Sequence, residues 1–254
     1  MRPIVAIIPA RMASSRFPGK PLKPILGVAM VEHVRRRVAL CKILDKVIVA
    51  TCDREIAEAV ERYGGEVVMT SDCHESCVDR VVEAAQAFEA EIIINVQRDR
   101  PLVRPETLES LVAPLLREPD LVCTDMMGPI SNDSEFNSPN VVKVVVDGSG
   151  NALYYSREPI PSLKKASTHP EIPRYKQFGI NAFRREFLMA FADLPRTTLE
   201  KIESVDMLRA LEHGYKIRMI ATRYQVVGVD TPEDLMQAEL LMQKDPICSS
   251  YLSR

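Results

Sequence analysis

The segment Pro9-Ala10-Arg11-Met12-Ala13-Ser14-Ser15-Arg16-Phe17-Pro18-Gly19-Lys20-Pro21 places three cations, two serines and a glycine directly after an apolar run. Exposed main-chain amides with Arg11, Arg16 and Lys20 suit a triphosphate, because amides and fixed cations together neutralise three clustered negative charges. The alternative is a solvated basic loop. Neither GxxxxGK[ST] nor GxGxxG occurs here, so the segment predicts a nucleotide site of neither the P-loop nor the dinucleotide kind. Cys73-His74-Glu75-Ser76-Cys77 offers metal-ligating side chains, yet no second Cys/His pair at zinc-finger spacing accompanies it. His33, His169 and His213 are isolated, and no Ser/His/Asp arrangement can be drawn.

A loop of this kind works only if regular elements hold it open at one edge. Ile4 to Pro9, Lys46 to Ala50, Glu66 to Met69 and Ile92 to Val96 are short, almost continuously apolar runs, as in strands buried on both faces. Between them Met30 to Leu40, Arg54 to Tyr63 and Val78 to Phe88 carry apolar residues three and four apart. The order βαβαβαβ predicts a doubly wound parallel sheet. Ligands in such sheets sit beyond the carboxyl ends of the strands. The segments after Pro9, after Ala50, near Ser71 to Arg80 and after Val96 should therefore share one crevice.

The second half changes character. Val141 to Val146 and Ala152 to Ser156, joined by Asp147-Gly148-Ser149-Gly150, predict a hairpin. Pro159, Pro161, Pro170 and Pro173 then punctuate a loop. Beyond it the spacing predicts a strand over Arg174 to Phe183, helices over Arg185 to Ala192 and Ile202 to Glu212, and a strand over Ile217 to Val229. A last helix, Thr231 to Met242, is capped by Thr231 with Pro232 at its first position.

The 254 residues are 46% hydrophobic, enough for one full core. Lys+Arg 33 against Asp+Glu 35 leaves a net charge of -2, too balanced for a general basic surface, so no nucleic-acid partner is expected. No run approaches the roughly 18 apolar residues of a membrane span, and the apolar stretch at the N-terminus is too short for a signal peptide. A cytoplasmic protein is expected. Six cysteines without CxxC spacing predict free thiols.

Ile8-Pro9-Ala10-Arg11, Ser15-Arg16-Phe17-Pro18-Gly19-Lys20-Pro21-Leu22, Asn95-Val96-Gln97, Val141-Val142-Lys143-Val144-Val145 and Gly228-Val229-Asp230-Thr231-Pro232-Glu233-Asp234 resemble CMP-Kdo synthetases, the 3-deoxy-manno-octulosonate cytidylyltransferases. The similarity runs in order from about Ile4 to Met242. The resemblance implies an α/β, Rossmann-like nucleotidyltransferase fold of the glycosyltransferase-A-like type, with a mixed, mostly parallel sheet flanked by helices and a small β extension. It implies a single domain over 1–254, with 150–185 as an acceptor-side and dimerisation extension of a homodimer. The activity implied is CMP transfer from CTP to the anomeric hydroxyl of an acidic sugar, Kdo or a related 2-keto-3-deoxy sugar acid, with loss of pyrophosphate, in lipopolysaccharide biosynthesis. The implied cofactor is Mg²⁺, held by Asp99 and Asp230. Arg11 and Lys20 would hold the β- and γ-phosphates within a loop that includes Pro9, Ala10, Ser15 and Arg16. Gln97 and the turn from Ser76 to Arg80 would surround the cytosine. Arg157, Gln177, Asn181 and Glu203 fall on the acceptor side, Arg157 against the sugar's carboxylate. Arg157 as an ordinary surface arginine and Asp230 as a helix N-cap are the alternatives.

The chain also departs from that family. Gln-Gly-Asp-Glu-Pro becomes Gln97-Arg98-Asp99-Arg100-Pro101, which raises the local charge by three. Ser-Gly-Thr-Asp-Arg becomes Ser76-Cys77-Val78-Asp79-Arg80, and His-Ile-Gly-Ile-Tyr becomes Gln177-Phe178-Gly179-Ile180-Asn181. Glu203 persists, while Met207 replaces a glutamine. Arg98 and Arg100 either turn to solvent or an acidic neighbour, or meet an anionic group that the usual acceptor lacks. CMP transfer to another anion, such as a nonulosonic acid or a phosphonate, and a non-catalytic nucleotide binder are the rival readings.

Overall fold

The computed structural model describes residues 3–13, 17–74, 76–164, 173–224 and 226–252. The chain forms two compact units, Met1–Ser110 with Gln225–Arg254, and Leu111–Tyr224. The extension expected at 150–185 falls inside the second.

The first unit opens with β1 (Ile4–Ala10), the short β2 (Pro24–Ile25) and β3 (Val28–Ala29), α1 (Met30–Val38), β4 (Lys46–Thr51), α2 (Arg54–Glu61), β5 (Glu66–Met69), α3 (Cys77–Ala85) and β6 (Ile92–Asn95). Strands β6, β1, β4 and β5 lie side by side in that order, every pair parallel. All seven residues of β1 and all four of β6 are buried, which explains their apolar composition without alternation. Loss of alternation hides a strand's faces but not its existence.

Helix α4 (Pro105–Arg117) carries the sequence into the second unit, where β7 (Cys123–Pro129), α5 (Asp133–Asn137), β8 (Lys143–Val146), β9 (Ala152–Ser156), β10 (Tyr175–Arg184), α6 (Arg185–Asp193), α7 (Thr198–Glu203), α8 (Met207–Glu212) and β11 (Arg218–Ala221) follow. Here β11 pairs parallel with β7, β7 antiparallel with β10, β10 with β8, and β8 with β9. The predicted hairpin is β8–β9, its turn closed by Asp147 Oδ1 accepting from the amides of Ser149 and Asn151, both at 2.8 Å. The chain returns to the first unit with α9 (Pro232–Met242) and α10 (Pro246–Leu252). Thr231 caps α9 in a capping box with Asp234, as its spacing predicts. Ile25, Met30, Val229, Ala238, Met242, Cys248 and Tyr251 bury one cluster that ties these last helices to α1.

Two sequence expectations are corrected. The helix over Ile202 to Glu212 is two helices broken at Ser204, which adopts φ 53°. Arg209 pairs with Glu200 through Nε at 2.9 Å and Nη2 at 2.6 Å, both residues buried. Nine residues of one straight helix would separate them by about 13 Å along its axis, so the chain must fold back to satisfy both charges. The strand over Ile217 to Val229 shrinks to Arg218–Ala221. The Thr222 amide still bonds to Met127, but the Thr222 hydroxyl then accepts from the Tyr224 amide in a local turn that leaves the ladder. Val226 and Val229 are buried as loop residues.

Candidate active site

In the first unit, the carboxyl end of β1 and the start of α3 converge on one cleft lined by Pro9, Ala10, Arg11, His74, Ser76, Cys77, Arg80 and Arg98. The predicted Pro9, Ala10, Arg11, Ser76 and Arg80 are thus brought together; Ser15 and Arg16 lie outside the described residues. Ser76 caps α3, its hydroxyl accepting from the Asp79 amide at 3.1 Å. Arg80 is buried and donates to the Thr70 hydroxyl and the Ser71 carbonyl. The Cys77 thiol donates to Gln97 Oε1 at 3.6 Å, joining the two segments expected around the base. Asp53, which sequence reasoning missed, accepts the Met12 amide at 2.7 Å and anchors the basic loop.

Beside the cleft Lys20 is 3% exposed. Its Nζ donates to Asp99 Oδ2 at 2.6 Å, Asp230 Oδ1 at 3.1 Å and the Val229 carbonyl at 2.8 Å. The three protons of the ammonium are thereby committed. Asp99 Oδ1 is buried and accepts no hydrogen bond, with Arg100 Nη1 at 3.7 Å. Burial alone would raise the Asp99 carboxyl, but Arg100, Lys20 and Arg98 outweigh it and hold it well below the usual carboxylate range. Arg100 lies over Gly228, where a Cβ would meet Nη1 at 1.7 Å. Its acidic neighbour is therefore Asp99 itself. Arg98 turns into the cleft, with Nε buried and donating no hydrogen bond.

The remaining predicted residues lie in the second unit. Glu203 accepts from the Tyr154 hydroxyl at 3.1 Å, the Ser156 hydroxyl at 2.9 Å and the Arg157 amide at 2.7 Å. Burial would raise its carboxyl, and these three donors hold it below the usual range. The Arg157 guanidinium donates to the carbonyls of Glu203 at 2.6 Å, Pro139 at 2.9 Å and Ser204 at 3.3 Å. Three of its five N–H groups thus donate to main chain.

Gln177 and Asn181 flank a bulge in β10. Gln177 opposes Met127 and Asn181 opposes Asp125, so two extra residues sit on β10, with Gly179 at φ 70°. Directly opposed residues share a face, and Gln177 Nε2 reaches Asp125 Oδ2 at 2.7 Å. Asp125 and Tyr155, whose hydroxyl donates to the same oxygen at 2.9 Å, were not singled out from the sequence. A lone carboxylate inside the apolar run Val122-Cys123-Thr124-Asp125-Met126-Met127 was the available signal.

The parallel sheet with a basic loop and two carboxylates at its carboxyl edge is a nucleotidyltransferase arrangement, and a cytidylyltransferase family model matches residues 5–217. Among curated proteins, 3-deoxy-manno-octulosonate cytidylyltransferases from Syntrophotalea carbinolica and Geobacter sulfurreducens are 44% and 47% identical, spanning 93% and 91% of this chain and 97% and 96% of their own. A structure of CMP:2-keto-3-deoxy-manno-octonic acid synthetase complexed with CTP superposes with TM-score 0.88 and 39% identity, covering 95% of this chain and 99% of that one. The chain belongs to the 3-deoxy-manno-octulosonate cytidylyltransferase family. A cytidylyltransferase from Leptospira borgpetersenii, 18% identical with TM-score 0.65 over 96% of this chain and 88% of its own, shares the fold. No helix among the described residues is long and apolar enough to cross a membrane, and all six cysteines are free.

Proposed function

We propose that this protein transfers CMP from CTP to the anomeric hydroxyl of Kdo, releasing pyrophosphate. The observation that carries the reading is the convergence of Asp99 and Asp230 on one cation, Lys20 Nζ, beside a cleft lined by Arg11 and Arg98. In the reaction the acceptor's hydroxyl oxygen bonds to the α-phosphorus and gives up its proton to water, the bond from that phosphorus to the oxygen bridging it to the β-phosphorus breaks, and pyrophosphate leaves with that oxygen. Arg11 and Lys20 lie where they would offset charge developing on the phosphates, Lys20 on exchanging its carboxylate partners for phosphate oxygens. Gln97, with the start of α3, faces the base. Gln177 and Asn181 contact the acceptor, and Arg157 offers its guanidinium to the acceptor's carboxylate.

The residues present fit Mg²⁺. Two carboxylates already share one cation, and Asp99 Oδ1 is buried without a hydrogen bond. Mg²⁺ takes one or two carboxylates and completes its shell with phosphates and water, which the pair Asp99 and Asp230 would suit. When bound, the ion supplies neutralisation of phosphate charge. Arg100 is paired with Asp99, so its charge requires no extra anionic group on the acceptor, and Arg98 faces the cleft lined by Arg11, which in this reading takes the nucleotide phosphates. This supports Kdo over a more highly charged acceptor. The same reading includes a cytoplasmic homodimer that serves lipopolysaccharide synthesis; Leu153 of β9, 61% exposed, supports the hairpin as its contact.

Incubation with CTP, Mg²⁺ and a panel of acidic sugars tests the reading. Pyrophosphate release is expected with Kdo in preference to nonulosonic acids and phosphonates. Release with none of them overturns it.

A further inference from the structure

Behind the two acceptor-side residues of β10 lies a carboxylate that nothing in the phosphate chemistry requires. Asp125 is fully buried in the middle of β7. Its Oδ2 accepts from the Tyr155 hydroxyl at 2.9 Å and from Gln177 Nε2 at 2.7 Å, and its Oδ1 has no hydrogen-bond partner. The Tyr155 oxygen also touches Met219 Sδ at 3.1 Å, so β7, β9, β10 and β11 all contribute to one cluster. A buried carboxylate held by two side-chain donors, with the Met126 amide beside it, is a poor stabiliser, because lone pairs lose water without full replacement. What it does supply is direction. An ionised carboxylate can only accept, so it fixes which end of the Gln177 amide faces it. The amide nitrogen is held inward, and the carbonyl oxygen is left pointing away from the carboxylate.

We propose that Asp125 is a positioning residue that orients the Gln177 amide, so that Gln177 Oε1 accepts a hydroxyl of the acceptor sugar. This deepens the proposed function and rests on it for the identity of the acceptor. The consequence is a specificity rule: the acceptor carries a hydrogen-bond donor at that point, and replacing that hydroxyl with hydrogen costs affinity. It also makes the contact sensitive to protonation. Burial pushes Asp125 up to about 7, and a protonated carboxyl donates as well as accepts, which releases the Gln177 amide to rotate. The titratable neighbours are Tyr155 from β9 and Cys123 on β7, both raised by burial and then by the Asp125 charge. Both stay neutral where Asp125 titrates. Gln177 and Asn181 from β10 and Met219 from β11 carry no charge.

The test has two arms on the whole enzyme. In the first, the side-chain amide resonance of Gln177, assigned by its loss in Gln177→Leu, is followed between pH 5.5 and 8.5. It should titrate with a midpoint near 7 and become flat in Asp125→Asn. A resonance already flat in the parent overturns the coupling. In the second, the KM for Kdo should rise about fivefold to tenfold in Asp125→Asn at pH 8, while kcat and the KM for CTP stay within about twofold. The parent's KM for Kdo should rise as pH falls below 7, and that dependence should vanish in Asp125→Asn and Gln177→Leu alike. Equal losses in kcat and both KM values, or a KM for Kdo indifferent to Asp125→Asn, overturn the positioning role. If Asp125→Asn does not fold, the pH profiles of the parent and Gln177→Leu decide alone: identical profiles refute the proposal. A parent that releases no pyrophosphate with Kdo is a failure of the proposed function, visible before any variant is made. The positioning role then falls with it, and the resonance titration still reports whether Asp125 governs Gln177.

Discussion

At the scale of single residues, the site is organised by charge compensation. Lys20 neutralises Asp99 and Asp230 from within the fold, and Arg100 lies 3.7 Å from the second, buried oxygen of Asp99. Removing either aspartate should lower turnover by about a thousandfold or more, since a metal ion contributes several kcal/mol to transition-state charge stabilisation. Pyrophosphate release by Asp99→Ala and Asp230→Ala, with circular dichroism to confirm folding, checks this, and near-parental Mg²⁺-dependent turnover in either variant would remove that residue from the metal site. Lys20→Ala should raise the KM for CTP and lower kcat, because the same ammonium would serve binding and leaving-group stabilisation. Gly228→Ala probes Arg100: the new methyl meets the mobile end of the guanidinium rather than backbone. The guanidinium should move aside, with a melting-temperature shift within about 4 °C, equivalent to roughly 1 kcal/mol. The same substitution made in an Arg100→Gly background should then have no thermal effect, and a larger loss there would point to backbone strain instead.

At the scale of elements, the corner between α7 and α8 does two jobs. It closes the buried Glu200–Arg209 pair and presents Glu203 to the β8–β9 hairpin. Removing Arg209 takes from the buried Glu200 its two-bond partner and leaves it the half-exposed Arg196 at 3.2 Å and the Thr197 amide, so Arg209→Met should cost about 3 kcal/mol in urea unfolding, the low end for a broken buried pair. Ser204 holds the corner in a left-handed conformation. Ser204→Gly removes the steric penalty of that conformation and should stabilise the protein by about 0.5 to 1 kcal/mol, an unfolding midpoint shifted upward without loss of slope. A lower midpoint would mean that the serine side chain contributes more than its backbone strain costs.

At the scale of the whole molecule, Asp125 imposes a pH dependence on folding. Its carboxyl is raised from 3.8 to about 7 in the folded state. The folded protein therefore binds the proton more tightly than the unfolded chain, so the contribution to stability is fully present below about pH 4 and is lost as pH rises through 7. A shift of about three units corresponds to on the order of 4 kcal/mol. Relative to Asp125→Asn, the parent should lose stability between pH 4 and pH 8 by up to that amount. Urea midpoints of both proteins across that range measure it, and parallel curves would place the ionised form in a better-solvated environment than the fold provides.

The sequence by itself determined the parts governed by local pattern. Four parallel strands were legible as short apolar runs, which burial on both faces demands of β1 and β6, although β5 proved to be an edge strand with Glu66 and Met69 exposed; Thr231-Pro232 marked a helix start because capping chemistry is local. The basic loop was legible as a segment because its cations and glycine lie close along the chain, whereas the two aspartates, far apart in sequence, were legible only through the family resemblance. What Lys20 binds, where Arg98 and Arg100 turn, and why Glu200 and Arg209 break a helix were decided only in three dimensions. Each depends on partners far apart in sequence: Lys20 lies 79 residues from Asp99 and 210 from Asp230. Asp125 shows the limit most plainly. Along the chain it is one acidic residue in an apolar run; it gains a function only because a bulged strand 52 residues away brings Gln177 onto its face. Side-chain pairing across a sheet follows from strand register, and register is set by the packing of the whole unit rather than by either strand alone.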